Sequence, residues 1–125
     1  MRAVKSLIVF CALALVVIWP GLVWGHVFLE RADPRVGATV GVSPGSVRIW
    51  FDGVLEPAFS TIRVRDASGN RVDNGDSHVD SNNEKLLEVL LLPHLAPGAY
   101  KVIWSVVARD GHRTEGDYTF TVGGI

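Results

Sequence analysis

Three residues of this sequence carry donor groups that together would suit one metal ion: His26, Asp110 and His112. His26 follows the small residue Gly25, and a cut between them would leave His26 as an amino terminus. Such a terminus offers its α-amine and its ring Nδ1 to the same ion, and an α-amine with a pKa of about 8 loses its proton at little cost near neutrality. The chelate exists only after the cut. Asp110 and His112 flank Gly111. In an extended chain residues two apart point to one side, and glycine lets the backbone bend until carboxylate and imidazole converge.

An amine nitrogen, two imidazole nitrogens and a carboxylate oxygen form a borderline-to-hard donor set suited to tetragonal geometry, which favours Cu(II). Zn(II) could use the same donors but prefers a tetrahedron and ranks below copper in affinity. Cu(I) favours thioether and thiolate, and after Gly25 the sequence has neither Cys nor Met. Asp110-Gly111-His112 alone reads as a solvated turn, and His26 alone is equally weak; their joint occurrence with a cleavage signal makes the ligand set. His78, in a polar stretch, and His94, after Pro93, read as solvated or hydrogen-bonded loop residues. Arg31, Arg35, Arg109 and Arg113 read as ordinary surface charge, and Trp50 and Trp104 as core or partial core.

The cut is expected from the first 25 residues. Arg2 and Lys5 precede an apolar run from Leu7 to Ile18, which Pro20 and Gly21 break before Val23-Trp24-Gly25. This is the layout of a signal peptide, and the run is shorter than the roughly 20 apolar residues that a membrane anchor needs. Residues 1–25 are therefore read as a signal peptide and 26–125 as one exported domain. Cys11 lies inside the removed run, so no disulfide and no lipid-modified cysteine is expected. The remaining part has 10 basic and 13 acidic residues, a formal charge of −3, which gives no case for nucleic acid.

The elements that must position these groups are strands. Val47, Ile49 and Phe51 alternate with polar or partly polar neighbours, as do Ile62 and Val64, and Tyr118, Phe120 and Val122. Period two marks half-buried strands. Leu86 to Leu92 and Tyr100 to Val107 are denser in apolar residues, as central strands are. Asp66-Ala67-Ser68-Gly69-Asn70, Asp73-Asn74-Gly75, Pro93 and Pro97-Gly98 supply turns at short intervals. About seven strands in some 100 residues predict an all-β, antiparallel sandwich or barrel of immunoglobulin-like or cupredoxin-like type. The Asp110-Gly111-His112 segment then falls in a loop at one end, between a strand ending near Val107 and one beginning near Asp117.

Four stretches resemble the CopC-type periplasmic copper-binding proteins: His26-Val27-Phe28-Leu29 with Ala32-Asp33-Pro34, Val47 to Phe51 with Val54 and Glu56, Leu95 to Trp104, and Val106 to His112 with Gly116 and Tyr118 to Val122. The resemblance covers essentially all of residues 26–125. It implies a Greek-key β-sandwich or barrel in the periplasm and a Cu(II) site on His26, Asp110 and His112. The Met-rich Cu(I) loop of some members has no counterpart here. Many members also read Phe-Ser-Glu where this chain has Phe51-Asp52-Gly53, so the acidic group that could support a ligand is shifted or lost, and Asp52 is the candidate to substitute for it.

The expected function is that of a non-enzymatic carrier or buffer of copper, in transport, homeostasis or resistance. Its partners would be the copper ion and an inner-membrane copper transporter. Two rivals start from the same residues. A histidine-brace copper oxidase or monooxygenase would share the terminal His26, but needs an open copper position that Asp110 would fill. A metal-free β-sandwich interaction module would need none of the three ligands. No feature of the sequence specifies an oligomeric state.

Overall fold

The computed structural model describes residues 26–124; the expected signal peptide lies outside the described residues. Among the described residues eight strands follow one another: β1 (Leu29–Asp33), β2 (Thr39–Val40), β3 (Ser46–Phe51), β4 (Thr61–Asp66), β5 (His78–Asp80), β6 (Asn83–Leu90), β7 (Gly98–Val107) and β8 (Arg113–Val122). The helical content among the described residues is a 3-10 turn at Pro57–Phe59. No described helix is long and apolar enough to cross a membrane.

The strands form two four-stranded sheets in the orders β1-β3-β6-β5 and β2-β8-β7-β4. Set β2 aside, and the first, second, fifth and fourth strands make one sheet while the third, sixth and seventh make the other. That is the partition of an immunoglobulin-type sandwich. Tyr100 near the start of β7 donates its hydroxyl to the Ala96 carbonyl just upstream, the corner that such sandwiches place at the head of their sixth strand. The expected all-β sandwich of about seven strands is therefore the fold, with one addition. The two-residue β2 pairs in parallel with the end of β8, so the second sheet is mixed rather than purely antiparallel.

Alternation in the sequence becomes alternation in burial. Val47, Ile49 and Phe51 of β3 are buried while Ser46, Arg48 and Trp50 between them are half-buried. The fully buried layer is completed by Ile62 and Val64 of β4, Leu87 and Val89 of β6, Val102 and Val106 of β7 and Phe120 of β8. Each such side chain contributes about 1.5–3 kcal/mol relative to exposure. Phe51 meets Trp104 edge to face at 5.2 Å, and Tyr100 stacks on Phe120 at 5.5 Å, so aromatic pairs join the sheets and brace the second one. The apolar-dense stretches are inner strands of their sheets, β6 beside β3 and β7 beside β8. Trp104 is core, as read; Trp50 is only half-buried, its ring lying under the guanidinium of Arg31 at 3.8 Å.

What positions the site is the β7–β8 hairpin. Its pairing runs from Gly98↔Val122 to Val107↔Arg113. β8 thus starts at Arg113, earlier than Asp117, because the polar residues Arg113, Glu115 and Asp117 face outward while Thr114 and Gly116 continue the inward series. Only residues 108–112 remain for the turn, which fixes Asp110 and His112 within one tight loop.

Candidate metal centre

The hairpin loop closes on itself: the Ala108 amide donates to the His112 carbonyl at 2.9 Å, and the Gly111 amide to the Ala108 carbonyl at 2.9 Å. Gly111 has φ +94°, a conformation that a side chain would strain. The loop is also tied sideways. Ala108 bridges to Leu55, the Arg109 amide donates to the Val54 carbonyl at 3.2 Å, and the Arg109 guanidinium reaches Glu84 at 2.7 Å and Glu56 at 3.9 Å. Arg109, read from sequence as ordinary surface charge, is a strut between the loop and its neighbours. Sequence reasoning missed this because Glu56 and Glu84 are far away along the chain.

Within the loop one carboxylate serves one histidine twice. The His112 amide donates to Asp110 Oδ1 at 3.1 Å, and His112 Nδ1 lies 3.1 Å from Asp110 Oδ2. Chiefly because of the His112 amide, then the His112 ring and the charges of His112 and His26, the Asp110 carboxyl is held below the usual carboxylate range; partial desolvation opposes this. An ionised carboxylate can only accept, so His112 Nδ1 carries the proton, and a neutral ring then keeps its free lone pair on Nε2.

His26 arrives from the other side. Val27 is buried and anchors the segment ahead of β1, while His26 and Phe28 on either side of it are exposed. The Phe28 amide donates to Asp52 Oδ1 at 2.8 Å, and the Asp52 amide donates to the Phe28 carbonyl at 3.0 Å. The His26 ring stands 5.4 Å from the His112 ring, centroid to centroid. The three residues singled out in the sequence thus meet at one end of the sandwich. They are gathered without being closed: among the described residues no three His, Cys, Asp or Glu groups form a ready-made metal cluster. In the uncut chain the His26 nitrogen is a peptide nitrogen.

The other histidines lie elsewhere. His78 opens β5, with Nδ1 2.9 Å from the Asp76 carbonyl and Nε2 3.1 Å from Glu88. His94 is an exposed loop residue with φ +58°. A groove of about 600 Å³ lies on the outer face of β4, β7 and β8 between Arg63, Ile103 and Asp117 and contains none of the three candidate ligands.

A two-sheet β-sandwich of this topology defines a class of fold, and the comparisons with known proteins give its family. Residues 29–123 match the CopC domain model, and the chain belongs to the CopC family. It is 33% identical over 100 residues to protein YobA of Escherichia coli K12, covering 80% of this chain and 81% of that protein. It is 27% identical over 111 residues to the copper transport protein CutJ of Bacillus subtilis, covering 89% of this chain but only 20% of CutJ. Among solved structures, CopC from Methylosinus trichosporium OB3b superposes with a TM-score of 0.68 at 38% identity, over 78% of this chain and 94% of that one. PcoC, a methionine-rich copper resistance protein from Escherichia coli, gives 0.67 at 25% identity over 78% and 98%. Unlike that relative, this chain has a single methionine, Met1.

Proposed function

We propose that this protein is an exported Cu(II) carrier or buffer that acts in copper transport or resistance. In this reading signal-peptide removal frees His26, whose α-amine and ring join Asp110 and His112 around one ion. The observation that carries the reading is the approach of the His26 ring to within 5.4 Å of His112 on a loop whose carboxylate already orients the His112 ring. Kinship with a copper transport protein and a methionine-rich copper resistance protein supports copper as the cargo. The nitrogen-rich donor set without thioether or thiolate supports the divalent state.

With an amine, two imidazoles and a carboxylate around the ion, four protein donors fill the tetragonal plane, an arrangement for holding copper rather than activating a substrate. Release to an inner-membrane copper transporter is the step that follows in this reading. The test is a Cu(II) titration of the protein recovered after export, with its amino terminus determined by mass spectrometry. One tight equivalent with a nitrogen-rich tetragonal paramagnetic resonance signal is expected. A protein that starts at His26 and takes up no tight copper would overturn the reading.

A further inference from the structure

Copper chelation by a chain terminus faces an entropic problem, because terminal residues fray unless something ties them down. Here pairing of the first strand begins at Leu29↔Phe51, three residues after His26, with a register shift before Arg31↔Trp50. The segment between is held by two contacts with a single corner of the chain. Phe28 and Asp52 exchange hydrogen bonds, the Phe28 amide to the Asp52 carboxylate at 2.8 Å and the Asp52 amide to the Phe28 carbonyl at 3.0 Å. This adds one rung beyond the strand ladder, with a side-chain oxygen standing in for a main-chain acceptor. Beside it, Val27 fills the space that a side chain at position 53 would take: a Cβ on Gly53 would lie 2.5 Å from Val27 Cγ1. Val27 is 5% exposed, so this contact belongs to the core.

We propose that Asp52 and Gly53 form a socket for the amino-terminal segment, with Asp52 as the positioning residue that holds His26 over the Asp110-Gly111-His112 loop. The proposal deepens the copper reading and rests on it for its functional consequence, while the socket itself has a metal-free signature. Asp52 is exposed and its hydrogen bond to the Phe28 amide lies at the surface, so its removal deletes no core side chain. What it fixes is the Phe28 amide, and through Phe28 and Val27 the place of the preceding residue. A positioning role makes a sharp distinction between two substitutions. Asp52→Ala deletes the acceptor, whereas Asp52→Asn keeps an oxygen that the Phe28 amide can use and removes only the charge.

The experiment uses the protein expressed as the full chain and recovered after export, in wild-type, Asp52→Ala and Asp52→Asn forms. Amide exchange at Phe28 is read without metal, and Cu(II) affinity is read by competition with a chelator. Asp52→Ala is expected to speed Phe28 exchange and weaken Cu(II) binding about tenfold or more, the scale typical of lost support around a ligand, while Asp52→Asn stays near wild type in both. Gly53→Ala, which drives a methyl group into Val27, is expected to shift both readouts as Asp52→Ala does. Unchanged Phe28 exchange in Asp52→Ala overturns the socket whatever copper does. Equal loss of copper affinity in Asp52→Ala and Asp52→Asn overturns positioning in favour of charge. A wild-type protein starting at His26 that binds no copper, with exchange at Phe28 still accelerated in Asp52→Ala, overturns the copper reading and leaves the socket standing.

Discussion

Asp110 holds His112 by both of its carboxylate oxygens, one on the backbone amide and one on the ring Nδ1, each at 3.1 Å. The ring is thereby oriented before any ion arrives, and its Nε2 lone pair is the one left for coordination. In the proposed copper reading, a carboxylate that orients one donor and offers its own oxygen should matter more than a solitary surface acid. Asp110→Ala is expected to lower Cu(II) affinity about 10–100-fold, with the copper resonance signal changed in shape as well as intensity. Competition titration of the exported variant checks it; unaltered affinity would remove Asp110 from the site.

His78 gives the pH prediction. Its pKa is raised above 6.5, first by the hydrogen bond to the Asp76 carbonyl and then by the charge and hydrogen bond of Glu88; partial burial works the other way. A raised folded value means that the charged ring stabilises the fold fully below the unfolded pKa, and that this contribution is lost as pH rises through the folded value. His78 adds a side-chain tie to the backbone pairing of β5 with β6, so the effect is local to that sheet edge. His78→Gln should therefore be less stable than wild type near about pH 5 and indistinguishable near about pH 9, where the wild-type His78 ring is uncharged in both the folded and the unfolded state. Denaturant midpoints at the two pH values decide it, and a gap that widens toward alkaline pH would refute the assignment.

The sequence announced the sandwich because its core strands obey the period of two: β3, β4 and the second half of β8 could be drawn residue by residue. β2 could not, since Thr39–Val40 is too short to show a period and owes its pairing to the end of β8. The three candidate donors were legible by residue type, but their support was not. Arg109 finds Glu84 twenty-five residues back, and Asp52 finds Phe28 twenty-four residues back. Such contacts arise from sheet order, which local patterning does not encode.

Gly116 illustrates a constraint of packing rather than of backbone freedom. A Cβ there would lie 2.3 Å from Cζ2 of Trp104 and 2.8 Å from its Cε2, and the indole has Phe51 against it. The rigid ring cannot yield cheaply in a dense core. Gly116→Ala is expected to destabilise by about 1–3 kcal/mol, the range for overpacking, with a change in tryptophan fluorescence. Chemical denaturation followed at that signal tests it; wild-type stability would mean that the indole has another place to go.

Asp73 is the buried acid of the fold. Its side chain has no exposed surface, and it accepts from the Val64 amide at 2.8 Å, Arg71 Nε at 2.8 Å and the Gly75 amide at 2.9 Å. In the sequence it belongs to a turn signal, Asp73-Asn74-Gly75; in the fold it also caps an amide of β4. Asp73→Ala strands the buried Val64 amide and should cost about 1–3 kcal/mol from that group alone, whereas Asp73→Asn keeps one acceptor oxygen and should cost less. Equal losses in the two variants would show that charge pairing with Arg71, not the amide, is what the acid supplies.

The proposed chelate has a requirement that no side-chain substitution tests: a free amine on His26. Acetylation of that amine turns it into an amide nitrogen, which offers no free lone pair near neutrality as an α-amine with a pKa of about 8 does. The two rings and the Asp110 carboxylate would be untouched, and so would Val27 and the Phe28–Asp52 pair. Exported protein acetylated at the His26 amine should therefore fold with wild-type stability yet bind Cu(II) at least about tenfold more weakly, as expected when a ligand's donor character is altered. Mass spectrometry of the terminus, thermal unfolding and a chelator competition on the same sample separate these effects. Equal copper affinity in the acetylated protein would remove the amine from the coordination sphere and leave the imidazoles and Asp110 to account for binding.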